Sequence, residues 1–324
     1  MTGGPNARTR TPHDHVVNFY DNDRDVIADV TEYVAEGLRK GEAAVIVATQ
    51  AHRDALDEGL LRHGIDGSCA RKSDEYLFVD AADTLSAFMV NGDPERGRFM
   101  NVVGGLIARV AKGNRRVRAF GEMVALLWEA GNVSGAIELE SLWNELARAH
   151  EFSLYCAYPT SPLLDDGDLG AVSRVCEHHS GVIAPLSYTS RTICRVLVDD
   201  AGPRSQLFVP VPSAVPAVRR FVADTLSAWN ERELVDHASL VASELATNAV
   251  RHASSAFRAS ISRHHSVIRI AVEDVSFMPP VKADPTPEAL GGRGVSIVDR
   301  LSVRWGTDQV SDGKVVWSEL ARSG

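Results

Sequence analysis

Residues 233–252 read Glu-Leu-Val-Asp-His-Ala-Ser-Leu-Val-Ala-Ser-Glu-Leu-Ala-Thr-Asn-Ala-Val-Arg-His. Leu234, Ala238, Val241, Leu245 and Ala249 recur at the 3.6-residue period, which predicts one long helix with an apolar stripe. Glu244 and Asn248 lie one turn apart and stack on the shoulder of that stripe, not opposite it. A carboxylate and a carboxamide at a border between core and solvent suit a site that holds an ion and a reacting hydroxyl. Taken alone, the two residues are better explained as polar residues that happen to edge a core.

Outward from this helix the pattern sharpens. Upstream, Ala217–Trp229 is a second amphipathic helix. Downstream, residues 257–263 and 267–273 predict a strand pair ending in Asp274. A proline-rich loop follows over 278–287, then Gly291-Gly292-Arg293-Gly294 immediately before a helix at Val295–Leu301. Glycines at such a turn permit close backbone approach, and amides at a helix N-terminus cradle phosphate. Strands at Val303–Gly306 and Val315–Leu320 close the unit. Helices followed by antiparallel strands predict an α+β two-layer sandwich.

In that order the motifs resemble a known family. Glu244-Leu-Ala-Thr-Asn248-Ala-Val-Arg251-His252-Ala is similar to the N box of the GHKL ATPases, in the version of serine-protein-kinase anti-sigma factors. Val272-Glu-Asp274 resembles the adenine-reading strand end, Gly292-Arg293-Gly294 the ATP-lid glycines, and Asp312-Gly313-Lys314-Val-Val-Trp317 the closing strand. The resemblance spans about 205–324 and implies the GHKL/Bergerat ATP-binding fold, with ATP and Mg²⁺ as cofactors. It further implies that Asn248 holds Mg²⁺ and that Glu244 is the base for a partner's serine or threonine. Asp274 would accept from the adenine amino group, with Ser276 assisting nearby. Arg251, His252, Gly292, Arg293 and Gly294 would lie near the phosphates. One departure stands out: many family members carry Asp-x-Gly-x-Gly, whereas Asp274 is followed by Val-Ser276-Phe-Met-Pro-Pro, whose prolines have no amide hydrogen to offer.

The N-terminal half alternates short apolar runs with amphipathic stretches: a helix around 26–38, a buried strand at Ala43–Thr49, a helix at 53–63, and strands at 76–80, 117–120 and 152–158 with helices between. That alternation predicts a parallel-sheet α/β domain. Residues 33–49 resemble the opening of a RecA-like ATPase core. Where its phosphate loop belongs the chain reads Ala48-Thr-Gln-Ala-His-Arg-Asp54, without G-x-x-x-x-G-K-[ST], so the loop is degenerate. The segment as a whole is similar to the MEDS sensory domain through His15-Val-Val-Asn-Phe-Tyr20, Gly37-Leu-Arg-Lys-Gly-Glu42, Arg118-Ala-Phe120-Gly-Glu122-Met123, Glu138-Leu-Glu140-Ser-Leu-Trp143-Asn144 and Cys156-Ala-Tyr-Pro159. This implies a sensing role and a small-molecule ligand.

Glu122 follows a strand end, where ligands bind in open α/β sheets. Tyr20, Phe120, Trp128 and Trp143 are candidates to line an apolar pocket, with Glu122 and His15 as polar contacts. The competing reading makes the aromatics core and pairs Glu122 with an arginine such as Arg118. Cys156, Cys176, His178, His179 and His15 raise a metal site. Cys176-x-x-His179 has ligand-like spacing, but a second close pair is missing, and mid-strand Cys156 reads as a small buried apolar residue.

These readings divide the chain into a sensory domain at 13–186, a linker at 187–204 and an ATPase domain at 205–324. Its 324 residues, 44% apolar and 24% charged, fit an ordered globular protein. A net charge of −9 without a basic tract argues against nucleic acid as a partner. No apolar run is long enough to span a membrane. Residues 1–12 read as a tail without the apolar core of a signal peptide, and four spread cysteines suit a reducing cytoplasm. No H-[DE]-x-x-P phosphoacceptor helix and no helix-turn-helix stands out. The expectation is a cytoplasmic switch protein that sequesters a sigma factor or phosphorylates an anti-anti-sigma partner of the STAS type, with homodimerisation expected by analogy. The alternative is a non-catalytic ATP-dependent protein-binding module.

Overall fold

The computed structural model describes residues 14–67, 75–113, 115–160, 168–188, 202–280 and 294–322. These fall into two units, one within Met1–Pro159 and His178–Ile183, the other within Thr160–Glu177 and Ala184–Gly324.

In the first unit, strands β1 (His15–Tyr20), β2 (Ala43–Ala48), β3 (Tyr76–Asp80), β4 (Val117–Gly121), β5 (Phe152–Pro159) and β6 (Gly181–Ile183) form a six-stranded sheet in the order β3-β2-β4-β5-β1-β6. Every recorded pairing is parallel. Parallel strands need crossovers and are covered on both faces, which is why β1 and β2 are buried along their whole length. Helices α1 (Asp23–Arg39), α2 (Gln50–Arg62), α3 (Ala81–Ser86), α4 (Arg96–Val110), α5 (Met123–Glu129) and α6 (Val133–Ala149) supply the cover. The α1 terminus is specified locally: Asn22 caps it by accepting from the Asp25 amide, and Asp23 and Asp25 complement the positive end of the helix dipole. Along β4, Phe120 faces Tyr155 and the α1 side, with Tyr20, Val30, Tyr33 and Val34 in the same core. Gly121 lies on the opposite face, where a side chain would meet the Trp143 ring on α6.

The second unit carries a five-stranded antiparallel sheet of β7 (Arg204–Phe208), β8 (Phe257–Arg263), β9 (Val267–Asp274), β10 (Arg304–Val310) and β11 (Gly313–Ala321), ordered β10-β11-β9-β8-β7. Helix α7 (Leu169–Glu177) groups with this unit, whereas β6, which follows it in sequence, groups with the first. Helices α8 (Ala214–Ala228), α9 (Val235–Asn248) and α10 (Gly294–Leu301) complete it, and α9 packs against α8, α10 and the sheet. Period-two burial sorts the strands: Phe257, Ala259 and Ile261 on β8, and Ile268, Ile270 and Val272 on β9, are buried on one face. The register Val272↔Val316, Ile270↔Ser318 and Ile268↔Leu320 continues that face onto β11.

The long helix expected over 233–252 is divided. A short 3₁₀ turn at Arg232–Leu234 precedes α9, and a π-helical turn at Ala249–Ala253 follows it. Ser254, in the left-handed region at φ 50°, ends the run before β8. The expected strand Val303–Gly306 extends to Val310, because β11 offers it a full antiparallel partner. The tail 1–12, residues 189–201 of the expected linker and the glycines 291–292 lie outside the described residues.

Candidate functional site

In the second unit the site builds from the end of α9. Glu244 and Asn248 are both half-buried, one turn apart, and Asn248 is the last α-helical residue. The π turn after it widens the helix at the point where Arg251 and His252 are exposed; such turns concentrate at functional positions. Gly294 opens α10 directly against the carboxylate: a Cβ there would lie 2.5 Å from Glu244 Oε2. The atom met is the flexible end of the Glu244 side chain, so a larger residue at 294 would push the carboxylate aside without moving the backbone. The structure thus brings Glu244, Asn248 and Gly294 together through the packing of α9 on α10. Gly292 and Arg293 lie outside the described residues.

Asp274 ends β9 on the helix-covered face and is 3% exposed. Its Oδ1 accepts from Lys314 Nζ at 2.7 Å and from the Ser276 amide at 2.9 Å. Lys314, 5% exposed, stands directly opposite on β11 and also donates to the Ser276 carbonyl at 3.3 Å. The Ser276 hydroxyl accepts from the Met278 amide at 3.2 Å, so the turn after Asp274 is tied back on itself in place of a glycine pair. Gly313 is required here. At φ 154° its backbone presses on the Asp274 carbonyl, and any side chain would overlap that oxygen. The Lys314 pairing escaped sequence reading because it depends on register between strands forty residues apart. The one local hint is a lysine at an inward position of an alternating strand.

In the first unit the six proposed pocket residues are all buried, but they do not line one cavity. Tyr20 and Phe120 sit in the core on the α1 side of the sheet. His15 shares the face of Cys156, Trp128 packs edge-on against Tyr158 at 5.5 Å, and Trp143 packs against Phe99 and Phe152 on the α6 side. The period-two alternation of the strands separates them. The competing reading also needs correction: Arg118 binds Glu42, Glu36 and the Tyr33 carbonyl, and stacks over the Tyr33 ring, leaving Glu122 to others.

Glu122 lies at the carboxyl ends of the strands. Its Oε2 accepts from the Thr49 amide at 2.9 Å and its Oε1 pairs closely with His52 Nδ1, whose other nitrogen is 3.6 Å from Asp23. The Glu122 hydrogen bond raises the His52 pKa against the opposing effect of burial. Burial first, then the charges of Glu122, Asp23 and Glu129, pushes the Tyr20 phenol well up. Thr49 caps α2, so a carboxylate occupies the strand-to-helix turn where a phosphate loop would receive its anion. Negative charge at that turn opposes an anion. His52 and Thr49 were not singled out in the sequence, although both stand within the segment examined for that loop.

The two units define a class: an α/β domain joined to an ATP-binding domain of the histidine-kinase-like type. Residues 14–179, half of the chain, match the family model of the MEDS domain, MEthanogen/methylotroph, DcmR Sensory domain, and the chain belongs to that family. Residues 208–318 match the histidine kinase-like ATPase domain. The chain is therefore built as a signal-regulated ATP-binding regulator with a kinase-like ATP-using domain. No curated protein matches it. Among the described residues no helix is long and apolar enough to cross a membrane.

Proposed function

We propose that the second unit binds ATP with Mg²⁺ and phosphorylates a protein partner on serine or threonine, in the manner of the anti-sigma kinases, under control of a signal received by the MEDS unit. The observation that carries this reading is the Glu244 carboxylate set against the glycine that opens α10, one turn from Asn248. The donor set fits the nucleotide. The Asn248 carboxamide oxygen is the hard ligand that Mg²⁺ takes. With Oδ1 engaged by Lys314 and Ser276, Oδ2 of Asp274 is the oxygen for the adenine amino group. Arg251 and the amide end of α10 supply positive potential for the phosphates.

Bound ATP with magnesium supplies a γ-phosphoryl group whose charge is spread and neutralised. The chain's own residues do the rest. Glu244 accepts the proton of the partner's hydroxyl as that oxygen forms its bond to phosphorus and the bond to the ADP oxygen breaks. Asn248 and Asp274 fix the two ends of the nucleotide, and the α10 turn keeps Glu244 in place. The acidic chain suits a protein partner, a sigma factor or a STAS-type anti-anti-sigma protein, more than nucleic acid.

A second reading is favoured by one specific observation. The turn after Asp274 is closed by Ser276 and Lys314, and Phe277 and Met278 beyond it are exposed. A nucleotide that only sets the conformation of an exposed binding surface fits this turn. Incubating the full chain with γ-labelled ATP, Mg²⁺ and STAS-type domains separates the two. Label on the partner that disappears in Glu244→Gln supports the kinase. ATP-dependent capture of the partner without label supports the binding module.

A further inference from the structure

Inside the first unit, on the α6 side of the sheet, four side chains from four different elements converge without any role in the ATP site. His15 comes from β1, Glu140 from α6, Cys156 from β5 and His179 from the turn before β6. Their side chains are buried: His15 7%, Glu140 0% and His179 0% exposed, with Cys156 at 0% as a residue. One ligand atom from each lies within 4.8 Å of all the others. His15 Nε2 is 3.2 Å from Glu140 Oε2 and 3.3 Å from Cys156 Sγ. Glu140 Oε2 is 3.5 Å from Cys156 Sγ and 3.5 Å from His179 Nε2.

We propose that His15, Glu140, Cys156 and His179 form a tetrahedral site for a divalent transition-metal ion of the zinc class.

Spacing is the first argument. Zinc–nitrogen and zinc–oxygen bonds of about 2.0–2.2 Å and zinc–sulfur bonds of about 2.3 Å give tetrahedral edges of about 3.3–3.6 Å; the four contacts above fall at 3.2–3.5 Å, and the two remaining edges, from His179 to His15 and to Cys156, lie within 4.8 Å. The second argument is the shell that aims each ligand. Asn144 Nδ2 donates to the His178 carbonyl at 2.9 Å, which turns its Oδ1 to His15 Nδ1 at 3.0 Å. An amide oxygen only accepts, so the hydrogen of that pair sits on Nδ1, and Nε2 is presented to the cluster. The Tyr158 hydroxyl donates to Glu140 Oε1 at 2.8 Å and leaves Oε2 inward. Ser180 clips the His179 turn to β1 through its amide and hydroxyl on the His15 carbonyl, at 2.7 and 3.0 Å. Outer contacts of this kind orient imidazole and carboxylate ligands at metal sites.

Charge is the third argument. A carboxylate in the protein interior needs a cation beside it. The Glu140 side chain is 0% exposed, and a divalent ion bound at Oε2 supplies that cation. Thiolate and imidazole together select zinc-class ions over Mg²⁺ or Ca²⁺. Binding replaces the Cys156 S–H bond with a metal–sulfur bond, and its proton leaves for solvent. With all four positions filled by protein, the site is of the closed, structural type.

The test uses the full, untagged chain. Elemental analysis after purification is expected to show equimolar zinc. After chelation, added Co²⁺ is expected to give the d–d bands of a tetrahedral ion and a thiolate-to-cobalt charge-transfer band. The charge-transfer band should vanish in Cys156→Ser, while the far-UV circular dichroism of the chain stays unchanged as a check on folding. Asn144→Ala should weaken zinc by about 10–100-fold through the lost outer contact. A wild-type chain that binds neither zinc nor cobalt, or a charge-transfer band that persists in Cys156→Ser, overturns the proposal and leaves the cluster a proton-held ion pair.

Discussion

Lys314→Met isolates the interaction that dries and orders the end of β9. The Lys314 and Asp274 side chains are only 6% and 4% exposed, so removing the ammonium strands a carboxylate in the helix-covered layer. It also takes a donor from the Ser276 carbonyl. Breaking one side of such a pair costs about 3–5 kcal/mol, much more than the ~0–1 kcal/mol of a solvated surface pair. The Asp274→Asn/Lys314→Met double variant leaves no orphan charge. It should recover most of that loss, giving a coupling energy at the upper end of the ~0.5–3 kcal/mol seen for touching residues. The assay is urea unfolding of the full chain, following the transition that ATP shifts, since two units need not unfold together. A Lys314→Met loss below about 1 kcal/mol, or no coupling in the double variant, would show that water reaches Asp274. The proposed role of Asp274 as a buried adenine partner would then be wrong.

Other outcomes follow from the same geometry. Glu244→Gln should lower phosphoryl transfer by about 10²–10⁴-fold while ATP binding persists, measured by label transfer and calorimetry. Asp274→Asn should weaken ATP by about 1–3 kcal/mol; unchanged affinity in a titration would move the adenine elsewhere. Gly313→Ala should destabilise the second unit by more than the about 1–3 kcal/mol of a forced backbone conformation alone, because the added carbon overlaps the Asp274 carbonyl. In the first unit, the raised His52 pKa makes its pairing with Glu122 stabilising in full below the ordinary value of about 6.5, with loss as pH rises through the folded value. Melting temperature should therefore fall as pH rises past the ordinary histidine value in the wild type and flatten there in Glu122→Gln.

What the sequence disclosed, and what it withheld, divides by range of interaction. The β2 run Ala43–Ala48 and the stripe through Val241 and Leu245 are period signals, and each became the buried element expected. Glu244 and Asn248 were legible because one helical turn sets their relation. Asp274 was legible as a strand end. Lys314 was not, because only the β9–β11 register places it opposite Asp274. The π turn was hidden as well, since Ala249–Ala253 carries no proline or glycine to mark a break. In the first unit aromaticity suggested a pocket, but Phe120 points to the α1 side of the sheet while Trp143, on α6, covers the other face. Cys156 was judged by its own strand and read as an apolar filler. Its partners His15 and Glu140 come from elements distant in sequence, and no local spacing announces them.

The assignment of α7 to the second unit bears on any attempt to dissect the molecule. Cutting at residue 204, as the linker suggested, would strip the ATP-binding half of a helix whose Ala171, Val172, Val175 and Cys176 are buried and which packs on β8. The isolated sensory half would then display that apolar stripe to water, an invitation to aggregate. A sensory fragment that precipitates while the intact chain stays monodisperse is the outcome this grouping of α7 predicts.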